Sequence, residues 1–293
     1  MTTDQVVSEE ETAAELELER TASTYRSLYE HWERCHWSPL AIDYREDRRT
    51  FEAMSEEERD GFVWMFANRF HAEFNVARLL APFLLAAPSW ELQLLLATQV
   101  ADEHRHLNAV LRVYEEVFGV RGGIAAVKAL ADSHLDPVSK ILLYDSLEEW
   151  TLPLLERQDE DTFTAAVFAY HLIGEGVVAR TGQHLAAAQY AKFQGFPGLT
   201  AGQRLVSRDE ARHIGIGVTY VRQRMESEPE HTRELIGSLA EKLFALAATA
   251  LETANTRMSD LVVSGYGVDP HAFYEEAMRL THIRLRSIGF LDG

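Results

Sequence analysis

Two short stretches of the chain share one pattern: Asp102-Glu103-His104-Arg105-His106 and Asp209-Glu210-Ala211-Arg212-His213, 107 positions apart from Glu103 to Glu210. Each is a Glu-x-x-His unit preceded by an aspartate, in a stretch whose apolar spacing is typical of a helix. Residues three apart share one face of a helix, so a single turn directs a carboxylate and an imidazole at the same point. The two units therefore predict two long helices that present polar groups to one site.

Two single glutamates extend this pattern to four helices. Glu73 precedes the first unit and Glu175 lies between the two, each within a long apolar stretch. Two Glu-x-x-His helices with one glutamate from each of two more helices form the dinuclear carboxylate site of ferritin-like bundles. We therefore predict an all-α, ferritin-like four-helix bundle with additional flanking helices. The predicted metal ligands are Glu73, Glu103, His106, Glu175, Glu210 and His213.

Buried carboxylates need compensation, because an unpaired one costs several kcal/mol. For any single glutamate the alternative is an ion pair with Arg69, Arg105 or Arg212, but bound cations explain all six residues together. Asp102 and Asp209 are predicted to accept N–H bonds from the metal-binding histidines; the alternative places them on the outer side of their helices.

The ligand type narrows the metal. Four carboxylates and two imidazoles form a hard, oxygen-rich set that suits iron or manganese. Structural zinc favours thiolates, and Cys35 is the only cysteine. Of the carboxylates, we expect Glu73 or Glu175 to bridge the ions.

Composition limits the partners and the compartment. The net charge of −18 argues against a nucleic-acid partner, which needs clustered Lys and Arg. A single cysteine suits a reducing cytosol. The acidic N-terminal stretch does not resemble a signal peptide, and no apolar run approaches the ~20 residues that span a bilayer. We expect a cytoplasmic protein without a membrane partner.

The chain reads as long helices with short breaks and no linker, which predicts a single domain over 1–293 with a core bundle at about 50–225. Pro82 is expected to kink its helix or end it early. The predicted helices cover 9–36, 55–86, 89–118, 122–132, 136–157, 160–193, 199–226, 230–263 and 270–288. Two further Glu-x-x-His matches, Glu33/His36 and Glu228/His231, lie at a helix end and in a break, and we interpret them as surface residues.

Two segments identify a resemblance to a known family. The segments 170–182 (YHLIGEGVVARTG) and 208–217 (RDEARHIGIG) closely resemble the ligand-binding oxidases related to the small subunit of ribonucleotide reductase. The resemblance implies a dioxygen-activating Fe/Fe or Mn/Fe centre that oxidises a C–H or O–H bond of an apolar or amphiphilic small molecule. It also implies an ether link between a tyrosine five residues before the third glutamate and a valine three residues after the first; these positions hold Tyr170 and Val76.

The same resemblance implies a pocket for a fatty-acid-like ligand, an electron donor of unknown identity and a homodimer. Residues 70–75 (FHAEFN) are bulkier than is usual in the family, which leaves the substrate open. The expected pocket residues are Phe70, Phe74, Phe168, Leu172 and Ile214.

Other functions stay open. A ribonucleotide reductase radical protein needs a tyrosine four residues after His106, where this chain has Val110. Arylamine N-oxygenases resemble this chain in their DExRH motif but use an added histidine ligand four residues before the second Glu-x-x-His glutamate, where this chain has Val206. Iron storage or a metal-free scaffold are the alternatives outside these enzymes.

The spacing of Tyr170 and Glu175 predicts a helix distortion. On a regular helix the two residues lie about 140° apart, whereas a π-bulge brings them to one face. Gly174 and Gly176 flank the glutamate, where distortion is easiest. We predict a π-bulge near Gly174.

Overall fold

The computed structural model describes residues 16–20, 23–193, 195–252 and 256–291. Within these residues the chain is helical and contains no strand, so the all-α prediction is confirmed. The α-helices are α1 (Tyr25–Arg34), α2 (Arg45–Ala53), α3 (Glu56–Ala86), α4 (Trp90–Arg112), α5 (Gly123–His134), α6 (Pro137–Lys140), α7 (Ser146–Thr151), α8 (Glu160–Val167), α9 (Arg180–Phe193), α10 (Pro197–Ser227), α11 (Pro229–Glu252), α12 (Thr256–Tyr266) and α13 (Pro270–Ser287). Three π-helical segments continue them, π1 (Val113–Val117), π2 (Ile141–Asp145) and π3 (Phe168–Ala179), and 3-10 turns span Pro39–Ala41 and Leu152–Leu155.

The predicted N-terminal helix over 9–36 is not continuous. Residues 16–20 are helical, but Thr24 has extended backbone and its side chain accepts the N–H of Ser27. This N-cap starts a new helix at Tyr25, because the hydroxyl satisfies a backbone donor that the helix leaves free. Positions 9–15 of the prediction lie outside the described residues.

Serine caps start the first two bundle helices. Ser55 and Glu58 form a reciprocal capping box at the start of α3, and the Ser89 hydroxyl accepts the N–H of Leu92 at the start of α4. The predicted end of this helix at about residue 86 is confirmed, so Pro82 does not end it early; a kink at Pro82, the other predicted possibility, stays a prediction. Pro82 lies near the C-terminal end of this 31-residue helix. Its missing N–H removes one backbone hydrogen bond, which the rest of the helix tolerates.

The start of α10 is capped from a distant helix. The Asp47 carboxylate on α2 accepts the N–H groups of Gly198 (2.9 Å) and Leu199 (2.7 Å). A side chain at Gly198 would meet Asp47 Oδ2 at 2.7 Å, so the glycine permits this approach. The cap fixes where the helix that carries the second Glu-x-x-His unit begins.

The predicted π-bulge is confirmed, and π3 is longer than expected. It covers Phe168–Ala179, so Tyr170 and Glu175 come to one side of the helix as the five-residue spacing requires. The predicted helix over 136–157 is divided into α6, π2, α7 and a 3-10 turn. The predicted helix over 230–263 corresponds to α11 and α12, with residues 253–255 outside the described part.

The six predicted ligands lie between two hydrophobic clusters. On α3 the apolar residues up to Phe74 belong to one cluster and those from Val76 onward to the other, and a similar change occurs around His106, Glu175 and Glu210. The polar site is therefore a layer inside the bundle, with a packed apolar core on either side.

Flanking helices complete the structure. Helix α12 packs on α3, where a side chain at Gly61 would meet Gly265 N at 2.5 Å, and α13 packs on π3 and α9. Among the described residues one helix, Glu160–Ala191, is long and apolar enough to cross a membrane by composition, contrary to expectation. Because 72% of its most apolar window is buried inside the protein, core packing accounts for its hydropathy.

Candidate metal centre

The six predicted ligands converge on one buried site. They form a first cluster of Glu73, Glu103, His106 and Glu210 and a second cluster of Glu103, Glu175, Glu210 and His213. In each cluster the four ligand atoms lie within 4.8 Å of one another. Each of the six residues is at most 5% exposed. The arrangement offers two adjacent cation positions.

The two clusters share Glu103 and Glu210. Glu103 places Oε2 3.3 Å from His106 Nδ1 and Oε1 3.0 Å from His213 Nδ1. Glu210 likewise directs one oxygen at each imidazole, at 3.6 Å in both cases. Glu103 and Glu210 therefore have the geometry of bridging ligands, whereas the expectation that Glu73 or Glu175 bridges stays a prediction.

Glu73 and Glu175 occupy the outer ends of this arrangement. Each approaches a single imidazole: Glu73 lies 3.5 Å from His106 Nδ1 and Glu175 lies 3.9 Å from His213 Nδ1. If two ions were bound, Glu103 and Glu210 would be the residues within reach of both, because each approaches both imidazoles.

Several ligand atoms are buried without a hydrogen-bond partner. They are Glu103 Oε1 and Oε2, His106 Nδ1, Glu175 Oε2, Glu210 Oε2 and His213 Nδ1. Buried polar atoms of native proteins are nearly always paired. These unpaired carboxylate oxygens and imidazole nitrogens belong to the two clusters, and such a set of ligand atoms fits two hard divalent ions.

The aspartates hold the histidines as predicted, but across the repeat. His106 Nε2 lies 3.2 Å from Asp209 Oδ2, and His213 Nε2 lies 3.2 Å from Asp102 Oδ2. An ionised aspartate accepts the Nε2–H, so Nδ1 of each ring faces the site, where its lone pair would bind a cation once the ring is neutral. Each aspartate thus orients the histidine of the opposite helix.

Two tryptophans contact the aspartates and were not anticipated. Trp37 Nε1–H donates to Asp209 Oδ2 at 2.7 Å, and Trp32 Nε1–H donates to Asp102 Oδ1 at 2.9 Å. Both come from the α1 region, which is 70 or more residues away in sequence. No local spacing links them to the motif.

The arginines neutralise the aspartates rather than Glu103 and Glu210, the glutamates that the two clusters share. Arg105 and Arg212 each donate to Asp102 at 2.6 Å. Arg69 Nε lies 3.5 Å from Glu73 Oε1, and Arg69 also bonds Gln203. The ion-pair alternative therefore applies to Glu73 alone.

Without a cation, the surroundings of four of the six residues, Glu73, Glu175, His106 and His213, raise their pKa values and so favour their protonated forms. Burial, reinforced by the charge of Glu210, holds the pKa of Glu175 well above its ordinary value, and burial likewise raises the pKa of Glu73. Burial lowers the pKa of His106, but hydrogen bonds to Asp209 and Glu103 outweigh it and the net shift is upward. Burial also lowers the pKa of His213, but the charge of Glu103 outweighs it and the net shift is again upward. Metal ions would displace these protons.

Tyr170 and Val76, the predicted ether pair, are in contact. Tyr170 is fully buried, and its hydroxyl donates to the Val76 carbonyl oxygen at 3.1 Å. The phenol oxygen therefore lies against the backbone of Val76.

A cavity of about 180 Å³ opens beside the clusters. Three ligands, Glu73, Glu175 and Glu210, form part of its wall together with Val76, and Arg69 is the one cation among the described lining residues. Most of the remaining wall is apolar: Trp64, Met65, Phe66, Ala72, Val138, Leu142, Leu143, Leu147, Val178, Ala179, Ala186, Val262 and Phe273.

The predicted pocket residues are wrong. Phe70, Phe168, Leu172 and Ile214 are fully buried in the hydrophobic clusters, Phe74 packs against one of them, and none of the five lines the cavity. The cavity instead uses the helix faces that carry Glu73 and Glu175, toward α12.

A helical bundle that buries two overlapping carboxylate–histidine clusters defines a protein of ferritin-like fold with a candidate site for two metal ions. The family model of the ribonucleotide reductase small chain matches residues 21–261. The chain belongs to this family.

Solved structures agree on the fold. One is a valine-to-isoleucine mutant of an R2-like ligand-binding oxidase with aerobically reconstituted Mn/Fe cofactor: TM-score 0.79, 21% identity, covering 92% of this chain and 95% of that chain. A tyrosine-to-phenylalanine mutant has TM-score 0.78, 21% identity and coverage of 92% and 94%. A glycine-to-phenylalanine mutant, anaerobically reconstituted, has a TM-score of 0.75 and 22% identity, and the match covers 90% of this chain and 94% of that chain. The ferritin-like prediction is confirmed.

Proposed function

We propose that this protein is a dinuclear metal oxidase that activates dioxygen to oxidise a C–H or O–H bond of an apolar or amphiphilic small molecule. One observation carries the proposal: two clusters of unpaired ligand atoms share Glu103 and Glu210 and face an apolar cavity. Iron storage or scaffolding would not require a cavity at the ligands.

The chain's residues hold and shape the centre. We propose that the six clustered residues bind two ions, as Fe/Fe or Mn/Fe, which when bound supply the redox chemistry with dioxygen. Asp102 and Asp209 orient the histidines, and the hydrophobic cores on either side exclude water. A dry site strengthens these electrostatic contacts.

The cavity supports an amphiphilic substrate, such as a fatty-acid-like ligand. Its apolar wall extends along α3 from Val76 back to Trp64, about 18 Å at ~1.5 Å per residue. Arg69 provides a positive charge at the metal end, where an acidic headgroup would be neutralised.

We further propose an ether link between Tyr170 Oη and Val76 Cβ. The new O–C bond replaces one O–H and one C–H bond, so two electrons and two protons pass to dioxygen. The contact of Tyr170 with the Val76 backbone supports this step. In metal-loaded, air-exposed protein, tandem mass spectrometry should find the two peptides joined with the loss of two hydrogen atoms; unlinked peptides would refute it.

An electron donor of unknown identity and a homodimer belong to the same proposal. Leu85 and Trp90, at the adjoining ends of α3 and α4, are 65% and 72% exposed, which supports an apolar contact between copies. Nothing favours the N-oxygenase alternative, since Val206 is buried in a hydrophobic cluster and the described metal-binding groups contain no third histidine.

The decisive experiment is anaerobic loading of the metal-free chain with Mn(II) and Fe(II), followed by air. We expect two ions per chain and stoichiometric dioxygen consumption. Ala186→Trp, which fills the cavity away from the ligands, should keep both ions but lose binding of a fatty-acid probe. Absence of metal binding, or metal binding without dioxygen uptake, would contradict the proposal.

A further inference from the structure

The two metal clusters have matching ligands but differ in a residue that lies behind one of them. Each has its own histidine and outer glutamate, shares Glu103 and Glu210, and is oriented by an aspartate of the opposite unit. Four residues before each Glu-x-x-His glutamate, on the same helix face, the first unit has Gln99 and the second has Val206. Gln99 is fully buried and Val206 is 2% exposed.

Gln99 contacts the outer glutamate of the second cluster. Its side-chain Nε2 donates to Glu175 Oε1 at 2.8 Å. Glu175 Oε2 remains buried without a partner. The amide therefore fixes the carboxylate by one oxygen and leaves the other for a cation.

His171 fixes the orientation of Gln99. His171 Nε2 lies 3.0 Å from Gln99 Oε1, so the ring donates and the amide oxygen accepts, which directs the amide N–H groups at Glu175. The ring is fully buried, with the Tyr170 ring centroid 4.8 Å and the Phe83 ring centroid 5.4 Å away. Burial, with the charge of His213, lowers the pKa of His171 to about 3, so the ring is neutral and has one N–H at pH 7.

The outer glutamate of the first cluster has a different partner. Glu73 has Arg69, a half-buried cation on the cavity wall, at 3.5 Å, and no side-chain amide among the described residues bonds to it. The two cation positions are therefore held by different surroundings although their direct ligands match.

We infer that Gln99, held by His171, is a positioning residue that orients Glu175 toward the second cluster, and that its loss weakens one of the two metal sites. This inference rests on the proposed metal binding. Outer groups that orient ligands typically change metal affinity by about 10- to 100-fold. We expect a loss of that size at the second cluster, with the first within about twofold of wild type.

The test is titration of the metal-free full chain with Mn(II) alone, followed calorimetrically and by the EPR signal of free Mn(II). Gln99→Met keeps the side-chain volume and removes both hydrogen bonds. Leu96→Met, at a buried apolar position of α4, is the matched control and should titrate as wild type. His171→Phe keeps an aromatic ring and should weaken the same ion.

Double variants identify the site. His106→Ala added to Gln99→Met should remove all tight binding, whereas His213→Ala added to it should leave the one remaining tight ion. Two wild-type affinities in Gln99→Met, or loss at the first cluster, would overturn the inference. If Gln99→Met does not fold, as judged by circular dichroism, two unchanged ions in His171→Phe overturn it. A wild-type chain that binds fewer than two ions refutes the proposed function itself, and this inference with it.

Discussion

Asp102→Asn is predicted to destabilise the metal-free protein far more than Asp209→Asn, although the two aspartates occupy equivalent positions of the repeat. Asp102 is fully buried and accepts from Trp32, Arg105, Arg212 and His213. An asparagine there would aim its NH₂ group at two of these donors and leave the guanidinium of Arg212 buried without its carboxylate.

The magnitudes follow from these partners. Breaking a buried ion pair costs about 3–5 kcal/mol, and the Arg212 side chain is 1% exposed. Asp209 bonds Trp37 and His106. Among the described residues, the one arginine that pairs with it is Arg105, which lies at 3.4 Å and also bonds Asp102. Loss of such charged hydrogen bonds costs about 1.5–3 kcal/mol. We expect a gap of roughly 2 kcal/mol between the variants.

Urea unfolding of chelator-treated protein, followed by circular dichroism, measures this gap. Asp145→Asn, which removes an exposed pair with Lys140, is the control and should change stability by less than about 0.5 kcal/mol. Burial alone would raise the pKa of Asp102, but the hydrogen bond and charge of His213, with Arg212, hold it below its usual range. A lowered folded pKa gives stability that is lost as pH falls, so the effect of Asp102→Asn should shrink below about pH 4. Equal effects of the two variants at pH 7 would refute the reasoning.

Three further predictions concern the site and its supports. Glu175 and His213 have raised pKa values without metal, so metal binding should release protons. For each proton released, the apparent metal affinity should fall about tenfold per unit fall in pH. Calorimetry in buffers of different ionisation enthalpy measures the number of protons released. Gly61→Ala should cost about 1–3 kcal/mol of unfolding free energy, because its Cβ would meet Gly265 N at 2.5 Å; an unchanged midpoint would contradict the tight α3–α12 contact. Asp47→Ala should cost about 1–2 kcal/mol by uncapping α10, and Asp47→Asn should recover part of this.

The helices and the ligands were predictable from sequence because both depend on local spacing. Glu103 and His106 are one turn apart, and the order of the four glutamate-bearing helices matches a known bundle site. The π-helix was also predictable, since Tyr170 and Glu175 share a side only if the helix is distorted.

Features that depend on contacts between distant segments were missed. Trp32, Trp37 and Gln99 contact the site through pairs 70 or more residues apart, and the local spacing of a glutamine or a tryptophan does not indicate its partner. The pocket prediction failed for the same reason. Phe168 and Leu172 look like lining residues in the sequence, but the helix face they occupy packs into the core while Gly174 and Val178 face the cavity.

The crossed aspartates make the two halves of the chain interdependent. The first cluster takes Glu210 and the support of Asp209 from the C-terminal half, and the second takes Glu103 and the support of Asp102 from the N-terminal half. Neither half of the chain carries all the ligands of either cluster. If the chain were cut in the 3-10 turn at Leu152–Leu155, the two fragments would therefore bind ions only after they reassociate. Retention of a cation by such a split protein would therefore report that its halves have come together correctly.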